Sequence, residues 1–282
     1  MRSRKSFART LAPSLLCLAA FVSASFAATN PLKAPQGLAV DAKGNLYVAN
    51  SEDNNILVFN PNYVLQPSRT ITQGVSRPSG VAFDTQSNLW VANFGSSSVT
   101  EYTGGSQNTN AIVTNGISSP QAIAIDGLNN LWVENNNTNV TVYAPPTAFA
   151  APSTLILTVT DLPVPIYGIA VGGGMFSFGG DALVSYLAET PMLHAGNEAG
   201  FSTSDNGIAM ASDAKGDIYL ADFNGSVHIQ TVQGNYSEFL QLSFIPSGIA
   251  IDSVRGRVYF SNFGGNSIAV YSTAGKLLHT IQ

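Results

Sequence analysis

From Pro35 onward, short bursts of apolar residues alternate with polar clusters, and the same burst returns along the chain. Five stretches carry it most fully: PQGLAVDAKGNLYVANSEDNNILVF (35–59), PSGVAFDTQSNLWVANFGSSSVTEY (78–102), PQAIAIDGLNNLWVENNNTNVTVY (120–143), DNGIAMASDAKGDIYLADFNGSVHI (205–229) and PSGIAIDSVRGRVYFSNFGGNSIAVY (246–271). Within each, the alternation predicts a first strand ending in Asp, a tight turn, a second strand of the form L-[Y/W]-V-A-N, a polar loop and a third strand ending in Phe or Tyr. A weaker fourth strand is expected at Arg69–Thr72 after the first copy and at Leu277–Ile281 after the last.

The copies keep a constant period. The Asp that closes the first strand falls at 41, 84, 126, 213 and 252, and the 87 residues from Asp126 to Asp213 span two periods. The intervening copy, PIYGIAVGGGMFSFGGDALVSY (165–186), keeps Gly-Ile-Ala-Val but has lost the Asp and its turn. Six units follow, near 35–77, 78–119, 120–164, 165–204, 205–245 and 246–282. A four-stranded meander cannot bury both faces alone, and a repeat of about 40–45 residues with four strands is the mark of radial stacking. The expected fold is all-β, a six-bladed β-propeller of four-stranded antiparallel blades, forming a single domain over 28–282. A β-sandwich would leave the repetition unexplained. The Pro- and Ala-rich stretch from Ala144 to Pro152 reads as an outer excursion within this domain, and no strand from the opposite terminus is evident to latch the ring, 29–34 being short and interrupted by proline.

The pattern P-x-G-I-A-V-D, G-N-L-Y-V-A-N, I-x-V-[F/Y] resembles the NHL repeat family of β-propellers and covers most of the chain. That resemblance implies the fold; the family's propellers bind proteins or RNA or act as enzymes, so function rests on a site. Blade number and strand order are also similar to the six-bladed lactonase-like propellers. Resemblance to that group would imply a divalent metal held at the channel mouth by carboxylates and carboxamides.

The first residues change the picture of location. Basic MRSRKSFAR, the apolar run Thr10–Val22 and small residues at Ser25 and Ala27 predict a signal peptide over 1–27, with the mature protein secreted or periplasmic. Its removal would take away Cys17, the only cysteine, and four basic residues, leaving eight basic against 17 acidic residues and a net charge of −9. No basic cluster follows, which excludes nucleic acid as the expected partner, and no later apolar run is long enough to span a membrane.

Antiparallel order places the start of the first strand and the end of the second on one rim. The residues preceding the opening Gly, or its Ala122 replacement, are Gln36, Ser79, Gln121, Tyr167, Asn206 and Ser247, a polar and uncharged set. Outside them come Asn50, Asn93, Asn135, Asp222 and Asn262, with Phe94, Phe223 and Phe263 following three of these. Strand-end Asn also bonds local backbone, so two roles stand open for that group. The repeated Asp residues read as turn formers, and Trp90 and Trp132 as core between blades.

A hard cation needs oxygen donors, preferably charged. Only Asn206 fits the lactonase pattern among the mouth residues, so neither metal nor other cofactor is expected and no catalytic residue is assigned. Streptogramin lyases, a further propeller family, are expected to use a histidine cluster with a carboxylate, whereas His194, His228 and His279 are scattered here, with Glu189 and Glu198 near the first. The leading expectation is a non-enzymatic module that binds a protein, peptide or glycan across the rim. The alternative is a metal-dependent hydrolase or lyase drawing on Asn206, Asp222, Glu134 and the region of His194. A purely structural envelope protein is a third reading.

Overall fold

The computed structural model describes residues 30–136, 139–144, 154–159, 168–172, 175–178, 184–187, 190–195, 207–231 and 235–282. The expected signal peptide and the stretch 145–152 lie outside them.

Every repeat opens with the meander that its alternation predicts. The first forms β1 (Pro35–Val40), β2 (Leu46–Asn50) and β3 (Asn55–Phe59). The second gives β4 (Pro78–Phe83), β5 (Leu89–Asn93), β6 (Ser98–Tyr102) and β7 (Ala111–Val113), and the third β8 (Pro120–Ile125), β9 (Leu131–Asn135), β10 (Asn139–Ala144) and β11 (Thr154–Val159). The fourth contributes β12 (Ile169–Gly172), β13 (Met175–Phe178), β14 (Val184–Leu187) and β15 (Thr190–Ala195). The fifth and sixth are β16 (Gly207–Ser212), β17 (Ile218–Asp222), β18 (Ser226–Gln230), β19 (Tyr236–Gln241), then β20 (Gly248–Asp252), β21 (Arg257–Asn262), β22 (Ser267–Ser272) and β23 (Leu277–Ile281). Successive strands within each repeat pair antiparallel, except β13 and β14 of the fourth.

The propeller is as expected, but its blades are not uniform. Among the described residues five continuous blade sheets form, and not six: the fourth repeat yields two separate two-stranded sheets, β12–β13 and β14–β15. The repeat has lost the Asp and Asn that build the first turn elsewhere, yet β12 and β13 still pair across that position, and the break falls between β13 and β14. Even so, Ile169 of β12 joins Leu38, Val81, Ile123, Ala209 and Ile249 around one narrow central channel of about 70 Å³. The first blade is three-stranded. Pro67–Arg69 coils into a 3-10 turn, and of the expected strand 69–72 only Ile71 bridges, to Ile56, with a second isolated bridge from Leu65 to Phe59.

The first-turn chemistry is shared by repeats one to three. Asp41 Oδ1 accepts the N–H groups of Lys43 and Asn45, and Oδ2 accepts the Asn45 amide at 2.7 Å. Asp84 and Asp126 repeat this and also accept the indole N–H of Trp90 at 3.2 Å and Trp132 at 3.1 Å. Between blades the core is apolar: Tyr47, Ala49 and Val58 of one blade meet Val81, Leu89 and Val91 of the next. Trp90 packs in the following gap, as its position predicts. The opening glycines are set by how tightly the inner strands converge, since a Cβ on Gly37 would lie 2.7 Å from the Ser79 carbonyl oxygen and one on Gly248 2.5 Å from that of Gln36.

The ring is closed by residues 30–34, not by a shared strand. Leu32 is fully buried among Ile268, Val270 and Ile281 of the last blade. Asn266 clasps the segment, its carbonyl oxygen accepting from Asn30 Nδ2 and its Oδ1 from the Ala34 N–H, both at 2.7 Å. Tyr63 stacks on His279 at 4.6 Å across the same seam. Among the described residues no helix is long and apolar enough to cross a membrane.

Candidate functional site

A cavity of about 520 Å³ lies over one mouth of the channel, within the range of about 300–1,000 Å³ typical of small-ligand sites. It gathers seven of the rim residues that the repeat singles out: Gln36, Ser79, Gln121 and Ser247 from before the opening glycines, and Phe223, Asn262 and Phe263 from second-strand ends. Ile208, Ile245, Pro246 and Gly264 complete it. No charged side chain lines it among the described residues. Tyr167 and Asn206 lie outside the described residues.

The lining divides by role. Ser79 Oγ donates to the Pro120 carbonyl at 2.6 Å, and Ser247 Oγ to that of Pro35 at 2.7 Å. Each serine thereby ties its blade to the next, and Ser261 does likewise to Gln36 O at 2.6 Å. The serines spend their hydroxyl hydrogens on the scaffold, whereas Gln36, half-buried on β1, is the carboxamide residue that lines the cavity from the first blade. On the other side stand three large apolar groups left open to solvent: Phe223 at 42%, Phe263 at 45% and Ile245 at 54% exposure.

The strand-end Asn residues separate into two kinds. Asn50, Asn93 and Asn135 are fully buried, and their Oδ1 atoms accept the N–H of Lys33, Ser76 and Ser118 at 2.6, 3.0 and 3.0 Å. Each acceptor holds the residue two before the opening proline. Asn93 and Asn135 also donate to Thr100 and Thr141 hydroxyls, both at 2.9 Å. Asp222 is turned inward too, accepting from Asn224 and Ser226 N–H at 2.8 Å. These four shape the loops and do not line the cavity. Asn262 breaks the pattern: its Oδ1 accepts from Gly265 N–H at 2.9 Å, and it lines the cavity.

The loop before the opening proline breaks with it. Ala34, Arg77 and Ser119, which precede the prolines of blades one to three, hold positive φ of 49°, 43° and 44°. Ile245, at the same position in blade six, does not. A β-branched side chain makes that left-handed conformation strongly unfavourable. Phe94 diverges from Phe263 for a related reason. In blade two Gly95 N–H bonds Ser76 O at 3.0 Å and Arg77 lies over the Phe94 ring at 5.1 Å, so Phe94 is covered and stays out of the cavity. Ile245 was not singled out by the sequence reading, although repeat alignment sets it against Ala34, Arg77 and Ser119.

The residues of the alternative catalytic set are not brought together among the described side chains. Glu134 is buried in β9 opposite Ala122, and Asp222 serves its own turn. His228 stacks on Tyr236 at 4.9 Å and His279 on Tyr63. His194 lies in β15, with its side chain outside those described. Away from the mouth, burial raises the carboxyl pKa of Glu101, opposed by the Asn110 amide that donates to it at 2.8 Å and assisted by nearby Asp84. Burial likewise raises the phenols of Tyr102 and Tyr143, which donate to Gln73 and Asn115 carbonyls, both at 2.6 Å.

With the blades and their shared motif in place, the comparison with known proteins is direct. Residues 32–59 match the NHL repeat. No curated protein matches the sequence. Among solved structures, a streptogramin B lyase aligns over 90% of this chain and 84% of its own at 14% identity and a TM-score of 0.64. Virginiamycin B lyase from Staphylococcus aureus aligns over 86% and 83% at 13% identity and 0.61. A gluconolactonase from Xanthomonas campestris aligns over 83% and 84% at 13% identity and 0.62. At such identities the likeness is one of fold, a β-propeller, and the NHL match is confined to residues 32–59.

Proposed function

We propose that this chain is a secreted or periplasmic binding module that takes its ligand in the cavity over the channel mouth. The observation that carries this reading is the convergence of Phe223, Ile245 and Phe263, all solvent-open, on one uncharged polar cavity. Exposed apolar groups rimmed by polar residues mark interaction sites. The partner is a protein, peptide or glycan, and no cofactor is required.

Binding of purified protein to peptide and glycan arrays tests the reading. The double variant Phe223→Ala/Phe263→Ala should lose array binding at little cost in melting temperature, because each residue keeps over 40% of its surface in solvent. Phe94→Ala should bind normally, its ring lying outside the cavity. Equal binding by the double variant would refute the assignment.

A second reading, a metal-dependent hydrolase or lyase, draws on the lyases and the gluconolactonase that share the fold. The described lining offers a cation carboxamides and hydroxyls without a carboxylate, a weak donor set for a hard ion. Elemental analysis with a thermal melt in chelator separates the two, since a metal bound to the native state raises its apparent stability. Stoichiometric metal and a melt lowered by chelator would favour the enzyme.

A further inference from the structure

Among the described residues blades five and six carry the open apolar part of the cavity wall, and in blade six the loop differs at one residue. In blades one to three a left-handed residue before the opening proline turns the loop so that the preceding N–H meets the strand-end Asn. Ile245 cannot take that conformation without strain. The corresponding N–H in blade six belongs to Phe244, and Asn262 bonds Gly265 in its place. The same substitution sets an uncovered aliphatic side chain beside Phe263, where blade two sets Arg77 over Phe94.

We infer that the mouth site is specific for an uncharged peptide segment bearing a large apolar side chain, and that Ile245 is the positioning residue that opens it. The inference rests on the mouth being the binding site. Phe223, Ile245 and Phe263 form a three-sided apolar seat for the side chain. Gln36 and Asn262 supply carboxamides, each both donor and acceptor, which match the N–H and C=O of a peptide bond. A carbohydrate would set hydroxyls against the aliphatic part of that wall. A charged side chain would be desolvated there with no counter-charge among the described lining residues.

The probes are N-acetyl amides of Phe, Leu, Glu and Lys, with methyl glucoside, followed by saturation-transfer NMR on the full mature chain. The Phe and Leu amides should bind at least about tenfold more tightly than the Glu and Lys amides or the glucoside. Ile245→Ser, which restores the residue of blade three, should weaken the Phe amide about tenfold and shift the Asn262 side-chain amide resonances, while Ile245→Val should leave both unchanged. Charged probes or glucoside binding as well as the Phe amide, in a manner lost in Phe223→Ala/Phe263→Ala, would overturn the ligand class and leave the site standing. Absence of binding by every probe, or equal binding by the double variant, would overturn the site itself. Full binding by Ile245→Ser would overturn the role of Ile245.

Discussion

Asn93 and Asn262 occupy the same position in the repeat, yet their replacement by alanine should have opposite consequences. Asn93 is fully buried and accepts from the Ser76 N–H at 3.0 Å while donating to Thr100 Oγ1 at 2.9 Å. Alanine would strand the Ser76 N–H and leave Thr100 with its bond to Gly74 O at 3.2 Å. One stranded buried group costs about 1–3 kcal/mol, which in a domain of this size lowers Tm by roughly 2–12 °C at about 2–4 °C per kcal/mol. Asn50→Ala and Asn135→Ala should behave alike. Asn262 is only half-buried and its bond to Gly265 is exposed, so Asn262→Ala should stay within about 0.5 kcal/mol of the wild type while weakening ligand binding. Urea and thermal unfolding followed by circular dichroism, with the four variants side by side, read this directly. Equal destabilisation by Asn93→Ala and Asn262→Ala would refute the division of the strand-end residues into loop holders and a ligand contact.

Leu32→Ala, which empties a fully buried site in the seam between first and last blades, should cost about 2–5 kcal/mol; a melt unchanged from wild type would mean that 30–34 do not close the ring. Glu101 has its folded pKa raised by burial, so its protonated form favours folding. Its stabilising contribution is complete below the ordinary Glu value of about 4.3 and is lost as pH rises through the raised folded value. Glu101→Gln should therefore gain stability relative to wild type between pH 4 and pH 8, and a difference that stays constant or reverses across that range would contradict the assignment.

The repeat made the architecture readable before any coordinates. The recurring apolar bursts locate the strands, β2, β5, β9 and β17 being buried on both faces, and Asp41, Asp84 and Asp126 with their following polar residues specify turns through contacts no more than six residues away. The meander, the propeller and the position of the mouth all follow from such local rules, and so does the choice of Gln36, Ser79, Gln121 and Ser247 as mouth residues. Tertiary structure decided what local rules do not reach. The fourth strand of blade one gave way to a 3-10 turn and isolated bridges at Leu65 and Ile71. Ring closure depends on Leu32 and Asn30 meeting residues more than 230 positions away. Whether a strand-end carboxamide holds a loop or lines the cavity tracks the φ of a residue about 16 positions earlier, brought beside it only by the folded blade. Sequence sets residue type and period, whereas the partner each polar group finds is settled by which loops the closed ring packs together.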